Sequence, residues 1–143
     1  MSTLRHRTLF ITGGSRGIGE AIALRAARDG ANIVLAAKTE TAHAKLPGTI
    51  HSVAQAIEAA GGRALPIRCD IRVDADVQQA VDAAVQTFGG IDILVNNAAR
   101  AIGGVVDEID EESWTTVIDT NLSGYWRAMR VCVSAGGVDS GGA

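Results

Sequence analysis

A glycine-rich turn directly after the first apolar run of the chain has the residue types that suit the binding of a phosphate. The run occupies residues 8–11, and the turn reads Thr12-Gly13-Gly14-Ser15-Arg16-Gly17-Ile18-Gly19. Because glycine has no Cβ, such a turn lets an anion approach main-chain N–H groups, and the amino end of a following helix adds a partial positive charge. The sequence therefore predicts a phosphate cradle over residues 12–19.

The residues around this turn predict a β-α-β unit. Ile18, Ile22 and Ala26 recur at helical spacing before Gly30, which suits a helix end, and a second apolar run occupies residues 33–37. A glycine-rich turn by itself also fits an ordinary strand-to-helix connection. The two strands and the helix between them favour the phosphate-binding interpretation.

Strands and helices continue to alternate along the rest of the chain, which predicts an α/β fold with a doubly wound parallel sheet, a Rossmann fold. Pro66 favours an edge position for the third strand. The pattern predicts one domain over residues 1–132, incomplete after about four strands and a long helix, and a glycine-rich, disordered tail over residues 133–143. The elements expected after residue 37 are a polar loop at 38–48, helices at 50–60 with Thr49 as cap, at 74–88 from Asp74 or Asp76, and at 110–132, and strands at 64–68 and 91–95.

Composition limits the class of protein. The 143 residues are 47% hydrophobic and 20% charged, with a net charge of −3 and scattered basic residues. Neither nucleic acid nor a membrane is expected as a partner, because no basic patch and no apolar run of roughly 20 residues is present. Cys69, Cys132 and the histidines show no metal-ligand spacing, so no metal is expected. Without a signal-type segment at its start, the chain is expected in the cytoplasm.

Polar residues follow three of the predicted strands at their carboxyl ends, where open parallel sheets bind ligands. Lys38 follows the second strand, Asp70 the third and Asn96-Asn97-Ala98 the fourth. With the glycine turn, these residues are expected to meet at one edge of the sheet.

The chain resembles the short-chain dehydrogenase/reductase family through its turn of the form Thr-Gly-x-x-x-Gly-x-Gly, through Asp70, and through Asn96-Asn97-Ala98-Ala99. Asn121, in Thr120-Asn121-Leu122-Ser123-Gly124, adds to the match, and the loop from Lys38-Thr39 to residue 50 is similar to the hydroxysteroid dehydrogenase-like branch. The resemblance covers residues 7 to about 132. It implies an oxidoreductase that transfers hydride between a nicotinamide cofactor and a small-molecule carbonyl or alcohol substrate. The sequence does not identify that substrate.

The resemblance also implies which residues contact the cofactor. The glycine turn would wrap the phosphates, Asp70 would accept a hydrogen bond from the adenine amino group beside Ile71, and Asn97 and Ala98 would touch the nicotinamide-side ribose. Ala99 departs from the family, which usually has glycine there. The predicted cofactor-binding set is Thr12, Gly13, Ser15, Arg16, Gly17, Ile18, Gly19, Lys38, Asp70, Ile71, Asn97 and Ala98.

Charge at the end of the second strand indicates which nicotinamide dinucleotide is bound. A site that prefers NAD(H) places a carboxylate there to bind the ribose 2′-hydroxyl, whereas this chain has Ala36-Ala37-Lys38. Lys38 and Arg16 would face a 2′-phosphate, which predicts a preference for NADP(H) over NAD(H).

Of the family's four catalytic residues, the resemblance places only one in this sequence, Asn121, as a remnant of the proton relay. The chain has a single tyrosine, Tyr125, with Met129 four residues later, so it contains no Tyr-x-x-x-Lys pair. We expect no turnover by this chain alone, which is the expectation for a truncated enzyme. The alternatives are a non-catalytic nucleotide-binding or redox-sensing protein and, less favoured, an S-adenosylmethionine methyltransferase. A homo-oligomer through the helix at 110–132 is a further expectation.

Overall fold

A computed structural model describes residues 3–38 and 49–135 of the chain. Most of the polar loop expected at 38–48 and residues 136–143 of the expected tail therefore lie outside the described residues. The described strands are β1 (Thr8–Thr12), β2 (Asn32–Ala37), β3 (Arg63–Arg68) and β4 (Ile93–Val95). The described helices are α1 (Gly17–Arg28), α2 (Ile50–Ala60), α3 (Asp74–Phe88), α4 (Glu111–Ile118), a π-helical turn (Asp119–Ser123) and α5 (Gly124–Ser134).

The four strands form one parallel sheet in the order β3-β2-β1-β4. Every residue of β1 and β2 is buried, as expected for central strands covered on both faces. β3 lies at one edge, and its Pro66 pairs in register with Leu35 on the inner side. This arrangement confirms the predicted α/β class and the edge position of β3, which Pro66 permits because the missing N–H can face away from the sheet.

Alternate residues of the central strands enter two separate cores. Ile11 of β1 and Leu35 of β2 pack on one face of the sheet with α1 and α2. Phe10 and Val34 pack on the other face with α3 and with Cys132 at the end of α5. Helices thus cover both faces, and the sheet is doubly wound as the sequence indicates.

Two predicted boundaries are wrong. β4 begins at Ile93, two residues later than expected, because its pairing with β1 starts at Leu9 and Ile93. Ile91 is buried, and the main-chain N–H of Asp92 bonds to the carbonyl of Thr8 before that pairing. The helix expected over 110–132 is interrupted by the π-helical turn and extends to Ser134. A single inserted residue of this kind shifts the face of a helix without breaking it.

Helix ends follow the local signals in the sequence. Thr49 caps α2 through a reciprocal pair of hydrogen bonds with Ser52, and Asp110 caps α4 by accepting from the main-chain N–H of Ser113. Gly61 and Gly89 end α2 and α3 in the left-handed conformation. Among residues 3–38 and 49–135, no helix is long and apolar enough to cross a bilayer.

Candidate nucleotide-binding site

A cavity of about 440 Å³ opens at the carboxyl edge of the sheet, where β1, β2, β3 and β4 all end. Its walls come from the glycine turn, from the ends of the strands and from the loop that leads to α4. The lining residues are Gly13, Ser15, Arg16, Ala36, Ala37, Lys38, Cys69, Asp70, Ile71, Arg72, Asn97, Ala98, Ala99, Arg100 and Thr120. The fold therefore brings the glycine turn together with Lys38, Asp70 and Asn97 at one edge of the sheet, as the sequence predicts.

The glycine turn is packed too tightly to accept larger residues at two positions. Gly13 has a φ of +71°, and a Cβ there would lie 2.8 Å from the Cα of Ala98. A Cβ on Gly19 would lie 2.5 Å from Nδ2 of Asn97 and 2.8 Å from the carbonyl oxygen of Gly13. Glycine at both positions lets the turn, the first turn of α1 and the loop after β4 approach one another.

Thr12 and Asn97 fasten the turn to the end of β4. The Thr12 hydroxyl accepts hydrogen bonds from the main-chain N–H groups of Asn97 at 3.0 Å and Ala98 at 3.1 Å, and donates to the carbonyl of Val95 at 3.3 Å. The Asn97 side-chain amide in turn donates to the carbonyl of Gly13 at 3.0 Å. These contacts hold the two loops on either side of the cleft in a fixed relation.

The amino end of α1 lies beside the cavity, which its N-cap residue Arg16 lines. The Arg16 side chain does not cap the first turn, and the Arg16 carbonyl accepts a hydrogen bond from the main-chain N–H of Glu20 at 3.4 Å. The first N–H groups of a helix lack intrahelical partners, and the helix dipole makes this end partly positive. A phosphate is the ligand that such an end binds in a glycine-rich turn.

Asp70 is held by the strongest group of charged contacts in the cavity. Its carboxylate accepts from the Arg72 guanidinium at 3.1 and 2.9 Å and from the Arg72 main-chain N–H at 3.0 Å. Nζ of Lys38 lies 3.8 Å from Oδ2. The hydrogen bonds from Arg72, aided by the charge of Lys38, outweigh partial burial and lower the pKa of Asp70 to about 2. Asp70 is therefore ionised at neutral pH.

Asn121 lies on the π-helical turn, and its side-chain amide makes two hydrogen bonds to the main chain of Arg100. Its Oδ1 accepts from the main-chain N–H of Arg100 and its Nδ2 donates to the carbonyl of Arg100, both at 2.8 Å. The π-helical turn is held from the other side by Arg127, whose guanidinium donates to Asp119 and to the carbonyl of Ile71. Asn121 therefore positions the loop after β4, and its predicted part in a proton relay stays a prediction.

The cavity does not include every residue predicted to bind the cofactor. Gly13, Ser15, Arg16, Lys38, Asp70, Ile71, Asn97 and Ala98 line it, whereas Thr12, Gly17, Ile18 and Gly19 do not. Thr12 and Gly19 are buried, and the Ile18 side chain is 74% exposed. Contacts of these four residues with a ligand stay predictions, and the structure assigns Thr12 and Gly19 to holding the turn.

Seven lining residues lie outside the predicted cofactor-binding set, and three of them carry a charge or a hydroxyl group: Arg72, Arg100 and Thr120. Arg72 follows Asp70 by two residues, a spacing at which a long cation can fold back on a carboxylate, and this signal was available. Arg100 and Thr120 reach the cavity only because the π-helical turn docks on the loop after β4, and the sequence carries no comparable signal for that contact.

A family model described as short chain dehydrogenase matches residues 7–141. The chain is 53% identical over 126 residues to hydroxysteroid dehydrogenase-like protein 2 of Xenopus tropicalis, a match that covers 88% of this chain and 30% of that protein. The human protein of the same name is 48% identical over 126 residues, again covering 88% of this chain and 30% of that protein. This chain thus spans about 30% of the length of these curated relatives.

Two solved structures have a similar fold. A short-chain dehydrogenase from Mycobacterium thermoresistibile superposes with a TM-score of 0.89 at 47% identity, covering 92% of this chain and 47% of that one. An NADH-dependent reductase, A1-R′, solved in complex with NAD, superposes with a TM-score of 0.80 at 30% identity, covering 92% of this chain and 52% of that one. The doubly wound sheet, the glycine turn and these matches agree, and the chain belongs to the short-chain dehydrogenase family of oxidoreductases.

Proposed function

We propose that this chain is the nucleotide-binding portion of an NADP(H)-dependent short-chain oxidoreductase that acts on a small-molecule carbonyl or alcohol. The observation that carries the cofactor preference is the residue after β2. Lys38 lines the cavity at the position where a site for NAD(H) would hold a carboxylate, and Arg16 lines it from the glycine turn. Two cations on this side favour a ribose that carries a 2′-phosphate.

The residues present fit a dinucleotide. The partly positive amino end of α1 and the close approach of Gly13 to the loop after β4 suit a pyrophosphate. Asp70 lies close to Lys38, so the part of the cavity wall that Asp70 forms would be next to the proposed 2′-phosphate. The adenine base would contact this part of the wall. The cavity continues to Asn97 and Ala98, which would hold the nicotinamide-side ribose. The bound cofactor would supply hydride chemistry, and these residues would bind and orient it.

We also propose that the 143 residues bind the cofactor without turning over a substrate. Carbonyl reduction needs a proton donor as well as a hydride. Tyr125 is half-buried against the core that contains Phe10, with Met129 four residues along the helix, and so fits a packing role. The two lysines, Lys38 and Lys45, precede it in the chain and cannot form the pair that the family uses.

Three further expectations stay proposals for the chain. Residues 1–132 would form the nucleotide-binding domain, although α5 itself continues to Ser134. Association would use the helical segment from α4 to α5, which exposes Trp114, Trp126 and Met129. A cytoplasmic location is the third of these proposals.

The test is a titration of the purified chain with NADPH and NADH, followed by nicotinamide fluorescence or calorimetry. Lys38→Asp should weaken NADPH binding by roughly 10- to 150-fold, the loss of one charge-assisted contact, and should not weaken NADH binding. Arg28→Asp is the matched control, because it changes the net charge equally at the exposed far end of α1. Tighter binding of NADH than of NADPH by the unaltered chain would refute the proposed preference.

A separate assay tests carbonyl reduction: the unaltered chain is mixed with NADPH and simple aldehydes or ketones, and the oxidation of NADPH is followed. We expect binding without oxidation. Turnover by the 143 residues would show that the proposed lack of a proton donor is wrong, while leaving the family assignment intact.

A further inference from the structure

Arg72 lies in the loop between β3 and α3 and closes on Asp70 from one side. Its guanidinium donates to both carboxylate oxygens, Nε to Oδ1 at 3.1 Å and a terminal nitrogen to Oδ2 at 2.9 Å. Its own main-chain N–H adds a third bond to Oδ1 at 3.0 Å. A planar fork in this geometry fixes both the position and the rotation of the carboxylate.

This clamp leaves Asp70 with limited capacity for another donor. A carboxylate has about four lone-pair sites, and three bonds from Arg72 occupy two on Oδ1 and one on Oδ2. Among the contacts of residues 3–38 and 49–135, one site remains on Oδ2, the oxygen that lies 3.8 Å from Nζ of Lys38. Lys38 and any ligand donor therefore compete for the same oxygen.

The position of Asp70 identifies the ligand group that would take this site. β2 and β3 are paired up to Ala37 and Arg68, and the main-chain N–H of Cys69 bonds to the carbonyl of Ala37, so Asp70 and Lys38 leave the sheet side by side. If Lys38 binds a 2′-phosphate, the adjacent part of the ligand is the adenine base. Adenine has an exocyclic amino group, an N–H donor, whereas hypoxanthine has a carbonyl oxygen at the same ring carbon.

Arg72 also limits the pull of Asp70 on Lys38. The Arg72 side chain is 34% exposed and makes two short contacts with Asp70, whereas the Lys38 side chain is 52% exposed and lies at a longer distance from the same carboxylate. The less exposed, bidentate pair is the stronger one, because solvent screens it less. With the carboxylate neutralised by Arg72, Lys38 stays available for an incoming anion.

We propose that Arg72 is the residue that sets the specificity of the adenosine half of the site. It orients Asp70 to accept the adenine amino group and it keeps Lys38 from closing on Asp70, so that a 2′-phosphate can be bound. The inference rests on the proposed binding of a nicotinamide dinucleotide. Arg72 acts through Asp70 and Lys38 and is a positioning residue.

The experiment compares three ligands on the full 143-residue chain: NADPH, NADH, and the NADPH analogue with hypoxanthine in place of adenine. The unaltered chain should bind the hypoxanthine analogue roughly tenfold more weakly than NADPH, the effect of one lost bond to a charged acceptor. Arg72→Gln should reduce this difference in affinity between NADPH and the hypoxanthine analogue to about twofold or less. It should also lower the preference for NADPH over NADH severalfold, because Lys38 then pairs with Asp70.

Two variants make the result specific. Arg72→Lys keeps the charge without the fork, so it should lose base selectivity while retaining preference for the 2′-phosphate. Arg130→Gln removes an exposed arginine that is 2.7 Å from Asp74, away from the cavity, and should change neither ratio. The inference is wrong if Arg72→Gln weakens the binding of all three ligands by the same factor. It is also wrong if Arg72→Lys keeps the ratio of affinities for NADPH and the hypoxanthine analogue that the unaltered chain shows. If the unaltered chain binds none of the three, the proposed function fails first.

Discussion

The Thr12 hydroxyl is the contact whose removal should be most informative, because one buried oxygen serves three main-chain groups at the point where β1 and β4 separate. Thr12 is fully buried. Thr12→Val replaces the hydroxyl by a methyl group of similar size, so it leaves the packing nearly unchanged and removes the hydrogen bonds. The N–H groups of Asn97 and Ala98 would then be left without their acceptor.

The cost follows from these contacts. A buried donor left unsatisfied costs about 1–3 kcal/mol, and two donors lose their partner here, while the added methyl returns about 0.8 kcal/mol. We expect Thr12→Val to lower the free energy of unfolding by about 2–4 kcal/mol. Thr12→Ser keeps the oxygen and loses one methyl group, at a cost of about 1 kcal/mol.

Urea denaturation followed by Trp114 and Trp126 fluorescence measures the difference. The two variants should differ by about 1–3 kcal/mol, so with a slope of about 2 kcal/mol per molar urea, Thr12→Val should have a midpoint roughly 1 M below that of Thr12→Ser. Equal midpoints for the two variants would refute the reasoning, because they would show that the three hydrogen bonds contribute nothing beyond the methyl group.

Three other outcomes are expected. Gly13→Ala should cost about 2 kcal/mol or more in the same urea assay, since φ is +71° and the new Cβ would meet main chain at 2.8 Å; a neutral effect would show that the turn can relax. The pKa of Asp70 is lowered to about 2 from 3.8, so its pairing with Arg72 stabilises the fold above about pH 3.8 and is lost as the pH falls toward 2. The stability difference between the unaltered chain and Asp70→Asn should shrink over that window, and a constant difference would contradict the assignment. Burial raises the pKa of Cys69 to about 12 and of Cys132 to about 11, so iodoacetamide at pH 8 should modify neither thiol until the chain unfolds, as mass spectrometry can show.

The fold was predictable where one local signal decided the structure. The glycines at 13, 17 and 19, the cap at Thr49 and the buried runs of β1 and β2 each fix their element through backbone geometry or burial, and the structure has them at those positions. The edge position of β3 followed from the missing N–H of Pro66. These features depend on a few neighbouring residues and can be read from the sequence.

The features that were not predicted depend on contacts between distant parts of the chain. The π-helical turn forms where Gly124 packs so closely on Ile71 that a Cβ would lie 2.7 Å from the Ile71 side chain, and apolar periodicity does not report that contact. The contact of Arg72 with Asp70 is not predicted by their spacing alone, because an arginine in a loop is usually solvated. The role of Thr12 as an acceptor for the loop after β4 likewise needs the register of β1 and β4.

The paired hydrogen bonds between Asn121 and the main chain of Arg100 have a consequence for motion. A side-chain amide that both donates to and accepts from one residue imitates a rung of a β-ladder, so the loop after β4 is joined to the π-helical turn as a neighbouring strand would be. The loop can then move away from the cavity only by breaking both bonds or by taking the helix with it. We expect the loop and the helix to open as one cooperative unit, in which case amide hydrogen exchange at Arg100 would report that shared opening.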